Sequence, residues 1–434
     1  MQNVHIHILA NGLTVLLKPM HTAPVITSWL WYRVGSRNEG SGRTGISHWV
    51  EHMLFKGTPG YPQGTIDRLI ERNGGYLNGF TSRDYTAYYE TLPADRIGLA
   101  LQIEADRMIN TIFDADEVER ERTVILAELE GYANHPATWL DEAVHAAAFT
   151  VHPYHNPVIG YACDLHAITR ADLYQHYQTY YMPNNAVLVL VGDFDPDALL
   201  ATVVDLFGSL PSGPPIPPVH AVEPEPQGER RLTIRRPGAA EYVQIGYLTP
   251  DCRHSDFAPL LVLNAVLSGA RSLSGGGVPT NRSARLYKAL TETQLATGVY
   301  SVYMPSRDPY LFELGATVRQ EHQAAEIEAV LLHELARIQD EGITAEELAR
   351  VHKQMRAQLA YGSESVTNQA RMLGTWAMLD SHTRAATLLD ELAAVQVADV
   401  QRVACTYLTE QRRVVGTFVP LADAAANLEQ DAAA

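Results

Sequence analysis

Between Pro211 and Pro218 five of eight residues are proline, in Pro211-Ser212-Gly213-Pro214-Pro215-Ile216-Pro217-Pro218. Such a stretch lacks the backbone donors that a helix interior or a central strand requires. With the acidic, proline-containing run that follows to Glu229, it reads as an extended and fairly stiff linker. It divides 434 residues, too many for one ordinary core, into two expected domains, 1–210 and 230–434, joined by 211–229. Ala186 to Gly192 reads as a buried strand closing the first domain, and Tyr242 to Tyr247 opens the second in the same style. Phe113-Asp114-Ala115-Asp116-Glu117-Val118 resembles Ile343-Thr344-Ala345-Glu346-Glu347-Leu348 at an offset of 343 − 113 = 230. Each begins with a residue of the helix-capping type. Both halves mix amphipathic helices with antiparallel-type strands, so the expected fold is two α+β domains, each with helices packed on one sheet.

The first half contains His48-Trp49-Val50-Glu51-His52. On a helix, residues four apart lie one above the other, so His48 and His52 can share one metal ion. Glu51 shares that face and can take a proton from a water at the metal. The order is the inverse of the commoner His-Glu-x-x-His zinc motif. Composition alone would produce it in roughly 5% of such chains, so a third ligand is needed to give it weight.

Asp114 is a plausible N-cap for a helix running to Glu130, on which Glu121 and Glu128 are two turns apart and share a face. Glu128 falls within the apolar run Val124 to Leu129, where an unpaired carboxylate is costly to bury. A metal would remove that cost.

On these residues the chain resembles the pitrilysin and mitochondrial processing peptidase family, the inverted-zincin metallopeptidases. The spacing 128 − 52 = 76 is that of the family's third ligand, and Glu121 matches a glutamate that supports the ligands from behind. Asn11 to Val15, Gly35 to Glu39 and Leu54 to Thr58 also resemble family segments. So does Gly74 to Asp84, where the family pairs extended peptide with a strand edge; the resemblance implies substrate contacts at Asn78, Phe80 and Thr81. His152 and His155 lie in a further similar segment and read as loop residues. The resemblance implies one Zn2+ per chain on His48, His52 and Glu128, with Glu51 as catalytic base. It also implies a clamshell of two homologous domains, the second without ligands: at the repeat offset Glu128 meets Gln358 and Glu121 meets Val351.

One departure bears on partners. Family members that act alone carry in the second half an arginine and, seven residues later, a tyrosine that grip substrate. Anchored on Arg285-Leu286, those positions are Thr291 and Gly298, and a one-residue shift gives Leu290 and Thr297; Tyr300 falls too late. A homologous subunit supplying the pair is expected, or else a homodimer that orients peptide differently. A non-catalytic scaffold of the same family is the alternative reading, and the length argues against a small single-domain zinc lyase.

The net charge of −17 disfavours nucleic acid and anionic membrane surfaces as partners. Three scattered cysteines read as reduced. No basic leader or long apolar stretch is visible, and a cytoplasmic location is the expectation.

Overall fold

The computed structural model describes residues 3–271 and 282–421. It comprises two compact units. The first takes Met1–Glu130, Asn156–Ala221 and Tyr361–Thr387; the second takes Gly131–His155, Val222–Ala360 and the chain from Leu388. The linear reading at 211–229 leaves 131–155 and 361–387 on the other side of the linker from the units that contain them. Each of these segments includes a helix that covers its unit's sheet, an arrangement that depends on long-range packing and leaves no mark in local pattern.

The first sheet contains β1 (His5–Ile8), β2 (Thr14–Pro19), β3 (Val25–Tyr32), β4 (Tyr76–Thr81), β5 (Thr86–Pro93) and β6 (Ala186–Gly192). Their spatial order is β1-β2-β6-β3-β5-β4. The second sheet contains β7 (Arg230–Pro237), β8 (Tyr242–Thr249), β9 (Ala296–Tyr303), β10 (Tyr310–Val318) and β11 (Arg413–Leu421), in the order β7-β11-β8-β10-β9. Setting β1 aside, the two orders are the same permutation of strands, and the repeat suggested by the helix caps is a repeat of topology. The sheets are mixed rather than wholly antiparallel. Each has one parallel pair, β2 with β6 and β7 with β11, because the last strand of each half returns beside the first after a long connection.

β6 reads Ala-Val-Leu-Val-Leu-Val-Gly and is buried at every position, as befits a central strand covered on both faces. On one face Leu30, Tyr32, Leu188 and Leu190 pack with Trp49, Val50 and Met53 of α1 (Ile46–Met53) and with Leu101 and Met108 of the helix Ile97–Asn110. Trp29 and Trp31, one residue out of phase, face the other way. There α2 (Val366–Leu379) crosses β3 and β6. A Cβ on Gly374 would stand 2.1 Å from the Trp31 ring, so only glycine allows the helix to lie this close. In the second unit Leu140, Val144 and Ala148 of the helix Pro136–Ala148 pack against Leu248, Leu311, Val414 and Phe418.

The linker runs without helix or strand from 211 to 229, yet it is pinned. Asn184 exchanges two hydrogen bonds with the Gly213 backbone, and the Glu223 carboxylate accepts from the N–H groups of Thr150, Val151 and His152. His152 also pairs with Asp308 at 3.1 Å, and His155 Nδ1 bonds the His152 carbonyl; both serve local structure. None of the three cysteines is in a disulfide. Among the described residues no helix is long and apolar enough to cross a membrane.

Candidate metal centre

α1 begins at Gly45, whose φ of +85° and lack of a side chain leave the first turn without a local cap. A Cβ there would lie 2.3 Å from the Ile159 carbonyl oxygen. The cap comes from upstream. The buried Glu39 carboxylate accepts from Gly45 N at 2.8 Å and from Ser47 N at 2.9 Å, filling two of the open donors at the helix start. Burial pushes the Glu39 carboxyl up to about 8 against the pull of those bonds. Ser47 also lies 3.2 Å from His176 Nε2.

With Trp49, Val50 and Met53 turned into the core, His48, Glu51 and His52 occupy the remaining face. The two imidazole Nε2 atoms lie 3.2 Å apart. Glu128 comes from α3 (Ala115–Ala133), with Oε2 3.9 Å from His48 Nε2 and 3.8 Å from His52 Nε2. Asp114 caps α3 as expected, accepting from Asp116 N and Glu117 N, and Thr344 caps the matching helix of the second unit by bonding Glu347 N. The Arg122 guanidinium on α3 sits 4.6 Å from the Trp49 ring and donates to the Ile168 carbonyl, tying α3 to α1.

Glu121 stands behind the cluster. Its carboxylate accepts from His52 Nδ1 at 2.7 Å and from Lys56 Nζ at 2.5 Å. That bond places the His52 proton on Nδ1 and directs the Nε2 lone pair at His48 and Glu128. Burial opposes charge on His52, but the Glu121 bond and the surrounding carboxylates outweigh it and hold its pKa above the ordinary value. His48 is the reverse case: burial, aided by neighbouring His52, pushes it down to about 3. Burial also raises Glu51, against a 2.6 Å hydrogen bond from the Thr81 hydroxyl.

His48, His52 and Glu128 thus present three donor atoms within 4.8 Å of one another. Two nitrogens bound tetrahedrally to zinc at about 2.0–2.1 Å stand roughly 3.3 Å apart, close to the observed 3.2 Å. His48 Nδ1 is buried with no hydrogen-bond partner among the described residues, and the polar contacts of this imidazole run through Nε2 to His52 and Glu128. A neutral nitrogen pair with one carboxylate fits a borderline-soft divalent ion.

The expected substrate residues are divided by the alternation of β4. Thr81 points to Glu51. Phe80 points the other way, into a layer with Trp29, Trp31 and Tyr85 at ring separations of 6.2, 5.9 and 6.2 Å. Asn78 is exposed and its Oδ1 accepts from Gly79 N. Among the described residues β4 pairs only with β5, in register from Tyr76↔Thr91 to Thr81↔Thr86, and forms the edge of the sheet. The capping role of Glu39 was not legible in the sequence, because a local cap is the residue before the first turn, and here that residue is glycine.

Residues 14–161 match the family described as Insulinase (Peptidase family M16), and residues 167–355 match the Peptidase M16 inactive domain. An uncharacterized zinc protease of Mycobacterium tuberculosis is 31% identical over 404 residues, 91% of this chain and 89% of its own. The probable mitochondrial-processing peptidase subunit beta of Arabidopsis thaliana is 26% identical over 431 residues, 96% of this chain and 78% of its own. Among solved structures, a protease from Helicobacter pylori has a TM-score of 0.92 at 26% identity, covering 97% of this chain and 100% of that one. The chain belongs to peptidase family M16.

Proposed function

From this membership, we propose that the chain is a zinc-dependent endopeptidase that hydrolyses extended peptides or unfolded chains. The observation that carries the proposal is the convergence of His48, His52 and Glu128 beside Glu51. Zinc, when bound, supplies Lewis acidity that acidifies a water and polarises a scissile carbonyl. Glu51 takes the proton from the attacking water and delivers it to the leaving nitrogen. Its raised pKa suits both halves of that exchange, and the Thr81 hydroxyl fixes which oxygen faces the reaction. Glu121 keeps His52 in the tautomer that a metal requires. The free edge of β4 receives the peptide by strand addition.

The finer proposal is that this chain is the zinc-bearing subunit of a two-subunit enzyme. Thr291 and Gly298 stand where a gripping arginine and tyrosine are wanted, and a related chain would provide them. A scaffold role is disfavoured because all three donors and the base are present.

Metal analysis and digestion of a peptide mixture test the proposal together. Glu51→Gln should retain zinc while turnover falls by about 10²–10⁴-fold, the usual share of a general base. Undiminished turnover by that variant excludes the role. Full activity of the purified chain alone would remove the need for a partner.

A further inference from the structure

β4 presents opposite faces to two helices. Thr81 reaches Glu51 on α1, while Tyr76, an odd number of residues away, places its hydroxyl 3.3 Å from Thr367 Oγ1 on α2. Thr367 also lies 3.2 Å from Thr91 Oγ1 of β5. Four and eight residues further along α2 come Arg371 and Thr375, on the same side of the helix. Thr375 and Arg371 both interact with Tyr85, and Arg371 also interacts electrostatically with Tyr89. Tyr89 is the register partner of Asn78 on the neighbouring strand β5. The row Thr367, Arg371 and Thr375 therefore follows the outer margin of the first sheet, and Arg371 stands level with the middle of β4.

Thr367 has hydroxyl partners on both strands, whereas Arg371 has no hydrogen bond or ion pair among the described residues. Arg371 Nε is buried without a hydrogen-bond partner. Its guanidinium makes no ion pair with any described residue, and the charged or titratable groups it senses are the two tyrosines. Burial holds its pKa below the usual arginine value, as expected for a cation that lacks a counter-charge. A guanidinium offers five donors in a planar fork that matches a carboxylate.

A peptide strand added beyond β4 would lie about 4.8 Å from it and turn alternate side chains toward α1 and toward α2. We propose that Arg371 is a specificity-determining residue that takes the carboxylate of an Asp or Glu side chain on the α2 face of the bound peptide. This rests on the reading that β4 receives the substrate. The acidic side chain required belongs to the alternate set, pointing away from the zinc cluster, so it selects which peptides bind rather than taking part in bond breaking.

The test uses sets of fluorogenic peptides that differ only in Glu, Gln or Lys at one scanned position, with the zinc-loaded chain. At one position the wild type should favour Glu over Gln by about tenfold in kcat/KM, mostly through KM, as a charge-assisted fork bond implies. Arg371→Gln should bring that ratio to within about twofold of unity, and Arg371→Glu should shift preference to the Lys peptide. Because each variant is judged by its own ratio, a general loss of activity does not imitate the result. No acid preference in the wild type, or a preference that survives Arg371→Gln, overturns the proposal. If the wild-type chain alone cleaves none of the peptides, as the two-subunit reading allows, fluorescence anisotropy with the same labelled peptides decides about Arg371. Tighter binding of Glu peptides that disappears in Arg371→Gln supports the assignment; equal binding, or none, overturns it.

Discussion

Two clusters in this protein look alike by proximity. His48, His52 and Glu128 in the first unit, and Asp141, His145 and Glu313 in the second, each bring three ligand-type atoms within 4.8 Å. Their hydrogen bonds separate them. His145 Nδ1 lies 2.9 Å from the Asp141 carbonyl, which can only accept, so the proton is there and the Nε2 lone pair takes the Tyr310 hydroxyl at 2.6 Å. The Gln244 amide donates to both Asp141 and Glu313, at 3.0 and 2.7 Å. In the first unit the Nε2 atoms of both histidines face each other and the Glu128 carboxylate, and neither bonds a group outside the cluster among the described residues. A metal site is thus marked by ring nitrogens committed to nothing beyond the cluster, and closeness of acids and imidazoles is not enough.

The largest expected effect comes from removing a ligand. Glu128→Gln should reduce zinc from one per chain to a small fraction by metal analysis, and full retention would mean that the cluster is not the binding site. A smaller effect is expected one bond further out. Glu121→Gln should weaken zinc binding by about 10–100-fold in chelator competition, since the His52 tautomer is then no longer held.

The buried imidazoles of the first unit also predict an acid limb. His176 is pushed by burial, and to a lesser degree by Arg43, from 6.5 down to about 3. Below about pH 6.5 the unfolded chain binds a proton that the folded chain refuses, so this contribution to stability is present above that pH and is lost as pH falls toward 3. Between pH 7 and 5 it amounts to about 2 kcal/mol, and His176→Asn should flatten the fall in unfolding free energy by that amount. An unchanged slope would mean that His176 protonates in the folded state.

The smallest change is expected in the second unit. His145→Phe should leave zinc content untouched and cost about 1 kcal/mol through the Tyr310 hydroxyl left without its acceptor. Loss of zinc in that variant would make the two clusters equivalent and remove the distinction drawn from their hydrogen bonds.

Much of the first cluster was legible in the chain. His48, Glu51 and His52 share a face because helical spacing is local, and Asp114 and Thr344 cap their helices for the same reason. Glu128 needed one more step, a carboxylate in an apolar run, and the family spacing supplied the distance. Glu39 is not marked by the sequence because its two bonds cross six and eight residues from a non-helical segment. Arg371 is not marked because nothing in Gln369-Ala370-Arg371-Met372 tells which strand the helix will cover. Phe80 was expected at the substrate, but strand alternation shows only that it and Thr81 differ in direction, not which direction holds the chemistry.

The sequence by itself determined the short-range chemistry: the ligand spacing on α1, the caps and the strand patterns. These depend on backbone geometry within a few residues, which is the same wherever the segment ends up. The tertiary structure alone decided that Arg371 lies beside Tyr85 and Tyr89, that 131–155 and 361–387 belong to units across the linker, and that a second acid-and-histidine cluster keeps its lone pairs occupied. Those outcomes turn on partners tens or hundreds of residues away, and such partners are chosen by packing and hydrogen-bond satisfaction of the whole fold.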